Sequence, residues 1–235
     1  MSEYSTNAWV LHKKWSGDTS AQVTFLTRDK GVVRALCKGG RTQKKQALLQ
    51  AFTPLWIMLN ERSEWYYVQQ IELLSPSLLL EEQYLFAGLY VNELLYHGLE
   101  CLDAQPALYD AYETTLLALC EAEDKAQLEM ILRRFERIVL LSMGYGVLLT
   151  HEVNTGLPVD PVLQYAYIAG EGVVQVNERG ILGRHVLAFA GDNLIEPDVL
   201  KAAKHIMRLA IDHALNGKEI KARRLFYTGP VASLK

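Results

Sequence analysis

The hydrophobic pattern of this chain changes period at Ser75-Pro76-Ser77, and that break limits the possible folds more than any other feature. Before it, short runs rich in β-branched and aromatic residues recur: Trp9-Val10-Leu11, Gln22–Thr27, Val32–Cys37, Leu55–Leu59 and Trp65–Val68. Gly17-Asp18, Asp29-Lys30-Gly31 and Asn60-Glu61-Arg62-Ser63-Glu64 lie between runs and supply turn chemistry, so the runs read as strands. Five strands with one longer connection, between the third and fourth, suit a small closed barrel of the OB type. An SH3-like barrel leaves a similar trace.

After the break the spacing becomes helical. Leu85, Leu89, Leu95 and Leu99 mark one helix between Tyr84 and Cys101, and Pro106 opens a second through Leu108, Tyr112, Leu116 and Leu119. Asp124 with Gln127 resembles a capping box for a third, which carries Leu128, Ile131, Leu132, Phe135 and Val139 to a stop at Gly144. Pro197 starts a last helix that Asn216-Gly217 ends. Residues 145–195 are punctuated by glycine and proline, with strand-like Gln164–Ile168 and Val173–Val176. The expected architecture is α+β: a five-stranded barrel domain over 1–76, then a mostly helical domain over 77–235 with a small β excursion at 145–195.

Composition narrows the setting. Half of the 235 residues are hydrophobic, enough for a core without disulfides or metal. No apolar run approaches the roughly 20 residues that span a bilayer, and the start shows no secretory pattern. Three distant cysteines (Cys37, Cys101, Cys120) argue against a disulfide framework, so a cytoplasmic protein is expected. Of 24 basic and 27 acidic residues, the first 76 positions hold ten and six, leaving 14 and 21 for the rest. A basic head on an acidic body directs any nucleic-acid contact to the first third.

Most enzyme chemistry has no footing. There is no G-x-x-x-x-G-K-[ST] phosphate cradle, no G-x-S-x-G elbow and no G-x-G-x-x-G after a strand. His151-Glu152 begins like H-E-x-x-H, but Thr155 stands where the second imidazole is required. No other histidine has ligand spacing with the cysteines, so neither a metal nor a cofactor is expected.

What the sequence does offer is cationic. Lys38-Gly39-Gly40-Arg41-Thr42-Gln43-Lys44-Lys45-Gln46 carries four positive charges and no negative one, directly after a strand that holds Arg34. Lysine and arginine neutralise phosphates and release counterions, while the glycines let the loop bend close to a backbone. Lys13, Lys14 and Arg28 add charge on neighbouring hairpins, and all four tryptophans (Trp9, Trp15, Trp56, Trp65) fall in the same stretch. Trp9 and Trp56 suit a barrel core; Trp15, beside a turn and Lys13-Lys14, suits base stacking. This chemistry alone would also serve an OB-fold RNA-binding protein of translation or RNA processing. An enzyme with a cleft in 145–195 is a third class.

Longer stretches carry a resemblance. Thr24-Phe25-Leu26-Thr27-Arg28-Asp29-Lys30-Gly31-Val32-Val33, Cys37-Lys38-Gly39-Gly40-Arg41 and Gln50-Ala51-Phe52-Thr53-Pro54-Leu55 resemble the opening of RecO proteins. Gly88–Leu95, Leu132-Arg133-Arg134-Phe135-Glu136, Met143-Gly144-Tyr145-Gly146 and Lys221–Phe226 are similar to later landmarks of that family, in order. The resemblance implies an OB fold followed by a helical domain, and a non-enzymatic mediator of DNA repair and recombination. It implies binding of single- and double-stranded DNA, annealing of complementary strands, and work with RecR to load RecA onto DNA coated by single-stranded DNA-binding protein (SSB). It also implies recruitment by the acidic, phenylalanine-ended SSB tail. The apolar helix at Arg133, Arg134 and Phe135 is the expected tail site, with Arg133 the first choice for the terminal carboxylate and Arg134 the second. Some family members hold zinc through four cysteines after the G-Y-G landmark; residues 145–235 here contain none.

Overall fold

A computed structural model of the protein describes residues 2–63 and 65–226; Glu64 of the fourth turn and the end of the expected helical domain, 227–235, lie outside the described residues. Five strands close into a barrel in the order β1-β2-β3-β5-β4, with β4 pairing back onto β1. They are β1 (Ser2–Ser16), β2 (Ser20–Thr27), β3 (Gly31–Cys37), β4 (Leu55–Arg62) and β5 (Trp65–Leu73). All pairs are antiparallel except β3–β5. This is the OB arrangement. Strand β1 is long enough to serve both sheet edges, its first half pairing with β4 and its second with β2, the exchange falling at Ala8.

Side-chain alternation builds the core. Ala8, Val10, Val23, Phe25, Val33, Ala35, Leu55, Ile57, Leu59 and Val68 point inward and are buried together. The connection after β3, expected to be an irregular loop, holds a short helix α1 (Gln43–Leu48). Leu49, directly after α1, is fully buried in the barrel core.

Two helices complete this part of the molecule, α2 (Glu82–Gly98) and α3 (Pro106–Glu121), and both lie against the outside of the barrel. Trp9 points away from the barrel interior and is buried against Tyr112 of α3, rings 5.7 Å apart. It therefore fills the helix–barrel seam rather than the barrel core. Trp56, out of phase with Leu55 and Ile57, is likewise turned outward and only partly covered. At the β1 bulge between Val10 and His12 the ladder is interrupted, and Asn92 donates its side-chain amide to the Val10 carbonyl at 3.2 Å. Tyr112 donates its hydroxyl to Asn92 at 2.6 Å. Gly31 (φ +65°) lies so close to the loop after α2 that an added Cβ would meet the Asp103 carbonyl oxygen at 1.8 Å.

The remaining elements are α4 (Lys125–Ser142), a three-stranded sheet ordered β7-β6-β8, α5 (Gly183–Ala190) and α6 (Pro197–Ala214). The sheet strands are β6 (Gln164–Ile168), β7 (Gly172–Val176) and β8 (Ile181–Leu182). Asp124 caps α4 by accepting from Gln127 N–H at 2.8 Å, while the Gln127 side chain reaches back past the cap and accepts from Glu123 N–H at 2.9 Å, so the forward half of the expected capping box forms and the return bond falls one residue earlier. The β excursion contains a helix, α5, that its glycine-rich sequence had hidden.

Compactness cuts the chain elsewhere than at residue 76. One unit holds everything to Cys120 together with the segment from Ile220, and the other is Glu121–Glu219. The returning segment is a 3-10 helix, Lys221–Phe226, against α2. Its Ala222 N–H donates to Glu93 at 2.7 Å, and the Phe226 ring meets Phe86 edge-on at 6.2 Å. Among the described residues, no helix is long and apolar enough to cross a membrane.

Candidate nucleic-acid interface

The outer face of β1, β2 and β3 divides into two ends. At the end near Trp9, Leu26 and Val32 the helices cover it: all three residues are buried, and Leu102 N–H donates to the Val32 carbonyl at 2.9 Å. His12 marks the seam, stacked on Tyr96 of α2 with centroids 4.6 Å apart. Burial, followed by the nearby charges of Lys14 and His97, holds the His12 pKa below its ordinary value against the pull of Glu93.

Beyond His12 the face is open. Register sets Lys14, Gln22, Leu36 and Tyr67 side by side across β1, β2, β3 and β5, and puts Arg34 in the neighbouring row beside Thr24. Arg34, Lys14, Lys38, Arg41 and Lys44 are exposed, and no described carboxylate forms a salt bridge with any of them. Lys45, partly covered, donates to the Lys38 carbonyl at 2.7 Å and so ties α1 to the end of β3. Arg41 is fixed at both backbone groups: its N–H donates to the Thr19 carbonyl at 3.1 Å, and its carbonyl accepts from Gln46 at 2.7 Å. The Arg41 guanidinium lies 5.1 Å from the Trp15 ring centroid, and the Lys38 ammonium 5.8 Å from that of Tyr67.

Two of the expected cations stand apart. Lys13 donates to the Leu49 carbonyl at 2.8 Å, and burial lowers its pKa. Arg28 makes a two-pronged pair with Asp110 of α3, one arm at 3.1 Å, and stands 5.8 Å from the Tyr109 ring. Both spend their charge holding the protein together. Tyr67, outside the expected set, stands in the sequence beside Trp65, Tyr66 and Val68 and reads as core; strand parity turns it outward.

The expected tail-binding residues separate as sharply. Arg133 is 5% exposed, 2.9 Å from Glu136 and 3.9 Å from Glu129, and Phe135 is 1% exposed. Neither reaches solvent, because the Arg133 side of α4 is the side that packs inward. This reverses the expected order of the two arginines. Arg134 is half exposed and pairs with Asp192 at 2.9 Å. Arg137, one turn on, donates to the Phe189 carbonyl at 2.9 Å and satisfies an end of α5. Arg134 and Arg137, with Ile138, Leu141, Leu148 and Asp192, line an open pocket of about 560 Å³.

Within the glycine- and proline-punctuated stretch 145–195, Glu152 acts as a hub. Its carboxylate accepts from Thr155 N–H at 2.7 Å and from the Thr155 hydroxyl. Those bonds, the hydroxyl's first, hold its pKa below the usual range. Among the described residues, no three His, Cys, Asp or Glu side chains are grouped to hold a metal ion. Cys37 is buried, whereas Cys101 and Cys120 are exposed rather than packed as small apolar groups.

Comparison with known proteins fits both halves. Residues 1–77 match the family model "Recombination protein O N terminal", and residues 83–224 match "Recombination protein O C terminal". The chain is 50% identical over 226 residues to the DNA repair protein RecO of Legionella pneumophila (strain Corby), covering 96% of this chain and 99% of that one. It is 36% identical over 224 residues to the DNA repair protein RecO of Yersinia pestis (strain Pestoides F), covering 93% and 92%. With a five-stranded OB barrel leading into helices, and similarity running almost end to end, the chain belongs to the RecO family of DNA repair proteins.

Proposed function

We propose that the protein is a non-enzymatic recombination mediator that binds single- and double-stranded DNA, anneals complementary strands and, with RecR, helps load RecA onto SSB-coated DNA. The observation that carries this is the open end of the barrel face, where Lys14, Arg34, Lys38, Arg41 and Lys44 are exposed without salt-bridged carboxylates among the described residues. Such a cluster draws in phosphates of either strand form by counterion release, and annealing needs a surface that tolerates both the separate strands and their product. Work on chromosomal DNA would place the protein in the cytoplasm, at the nucleoid. The test is the rate at which complementary strands anneal, bare and SSB-coated, with and without the protein. Acceleration that disappears in an R34A/R41A/K44A variant is expected; annealing unaffected by the intact protein ends the reading. Tighter binding to RNA than to DNA of equal sequence would favour a role in RNA processing instead.

Recruitment by the SSB tail is part of the same proposal, moved one turn along α4. The pocket beside Arg134 and Arg137 combines apolar walls from Ile138, Leu141 and Leu148 with two guanidinium groups, as a phenylalanine ring and a carboxylate require. Asp192 occupies Arg134 in the free protein and would give way to the incoming carboxylate.

A further inference from the structure

His12 stands where the covered and open ends of the barrel face meet, and its register ties it to the open end. His12 of β1, Thr24 of β2 and Arg34 of β3 form one row across the sheet, and Lys14 lies two residues along β1 from His12. All four side chains point outward, opposite in parity to Val23, Phe25, Val33 and Ala35 of the core. Thr24 is buried between its neighbours, whereas His12, Lys14 and Arg34 are exposed. At ~3.4 Å per residue and ~4.8 Å per strand, the His12 backbone is about 7 Å from that of Lys14 and about 10 Å from that of Arg34. The three make a triangle with fixed cations at two corners and a titratable ring at the third.

The His12 ring is held in place by Tyr96 of α2, stacked on it at 4.6 Å. Charged groups reach it from each element around it: Lys14 on its own strand, Arg34 across β2, and His97 and Glu93 from α2. Glu93 is already engaged, accepting from Ala222 N–H at 2.7 Å and facing His97 at 3.6 Å. Partial burial, then Lys14 and His97, outweigh Glu93 and keep the His12 imidazole neutral at neutral pH. A phosphate set among the three corners reverses that balance, because its negative charge favours the imidazolium.

We propose that His12 is a conditional phosphate ligand, which joins Lys14 and Arg34 in its protonated form and so makes the open face hold DNA more tightly as the surroundings become acidic. The proposal rests on the DNA-binding reading above. Proton and strand are then linked ligands: the factor by which DNA tightens the proton on His12 is the factor by which that proton tightens DNA. A lysine at this corner would add its charge at every pH, and a glutamine at none. Histidine alone makes the contact depend on pH in the physiological range.

The experiment measures affinity for a dT oligonucleotide from about pH 8 to 5.5, the range in which histidine titrates and the oligonucleotide does not. Fluorescence anisotropy with a pH-insensitive dye supplies the readout. The wild type should bind roughly 2- to 5-fold more tightly at the acid end, the size of one exposed ion pair. Its salt slope should steepen there by about 0.7, for one added contact on a single strand. H12Q should lose both changes, while H12K should bind throughout the range as the wild type does at the acid end. H97Q should keep the step; its loss there would give the proton to His97 and overturn the proposal. In the unaltered protein, followed by NMR, the His12 imidazole should take up its proton at higher pH with dT bound than without. A step that survives in folded H12Q, or an imidazole midpoint unmoved by dT, overturns the proposal and leaves the electrostatic reading standing. Failure of the wild type to bind dT at either end of the range removes both.

Discussion

The barrel mouth and helix α4 both concentrate cations, and they use them in opposite ways. At the mouth, Lys14, Arg34, Lys38, Arg41 and Lys44 are exposed and without salt-bridged carboxylates among the described residues. On α4 all three arginines are engaged: Arg133 with Glu136, Arg134 with Asp192, Arg137 with the carbonyls ending α5. Uncommitted charge suits a polymer whose phosphates are equivalent and whose register does not matter. Committed charge is directional, and a ligand must match or displace the existing partner. The difference teaches that a count of Lys and Arg says little about binding until each has been traced to what it already holds.

The sharpest way to break this comparison is at Arg133. Its alanine variant removes the guanidinium from beside Glu136, which is 1% exposed, and half-deletions of buried pairs cost about 3–5 kcal/mol. Urea denaturation should show that loss, whereas Arg41→Ala should unfold at the wild-type midpoint. Equal midpoints for the two variants would erase the distinction. Next in size is the mouth itself. Replacing Arg34, Arg41 and Lys44 together should lower the salt slope of single-strand binding by about 2, from roughly 0.7 per lost phosphate contact. Arg28→Ala, already neutralised by Asp110, should change the slope less than Arg41→Ala alone; a slope change as large as Arg41's would mean that Arg28 leaves its partner for DNA.

At the α4 pocket, Arg134→Ala should weaken an SSB-tail peptide by about 1.5–3 kcal/mol, the range for hydrogen bonds to charged groups. Asp192→Ala should do the reverse, because it frees Arg134 in advance; calorimetric titration of both variants decides, and a weakened Asp192→Ala would show that the carboxylate is not a competitor. The smallest effects are in pH. Glu152 has a folded pKa below its ordinary 4.5, so it stabilises the fold above that value and the contribution fades as pH falls through it. His12 has a folded pKa below 6.5, so protonation favours the unfolded chain and stability declines as pH drops through that value. Thermal melts from about pH 8 to 2 should lose part of their acid slope below 4.5 in Glu152→Gln and below 6.5 in His12→Gln. Slopes unchanged in both would assign the acid sensitivity to other groups.

Much of the fold is legible because alternation and helical spacing are local. All five barrel strands announce themselves through residues such as Val23, Phe25, Val33 and Ile57, and Asp124 caps α4 as its spacing predicts. Helix α1 is not legible, because Gln43–Leu48 buries no residue and so shows no periodicity. Helix α5 opens on Gly183, which reads as a breaker; glycine is there because a Cβ would meet the Asp160 carbonyl oxygen at 1.9 Å. The site is half legible. The basic segment is plain in the sequence, but nothing local says that Arg28 will meet Asp110, 82 residues away, or that Tyr67 will face outward. Arg133 is the instructive failure: Glu129 and Glu136 stand at i−4 and i+3, so the pairing could be read, while its burial depends on what packs against α4.

The 3-10 helix at Lys221–Phe226 has a consequence for synthesis. The barrel and its two helices are complete in sequence by Cys120, yet the segment that covers Glu93 and Phe86 is translated about a hundred residues later. On a ribosome the first unit emerges early and must wait with that side of α2 uncovered, exposed to proteases and chaperones, until translation has passed Glu219. A chain stopped anywhere within Glu121–Glu219 therefore leaves its damage at a distance, in the unit that was made first.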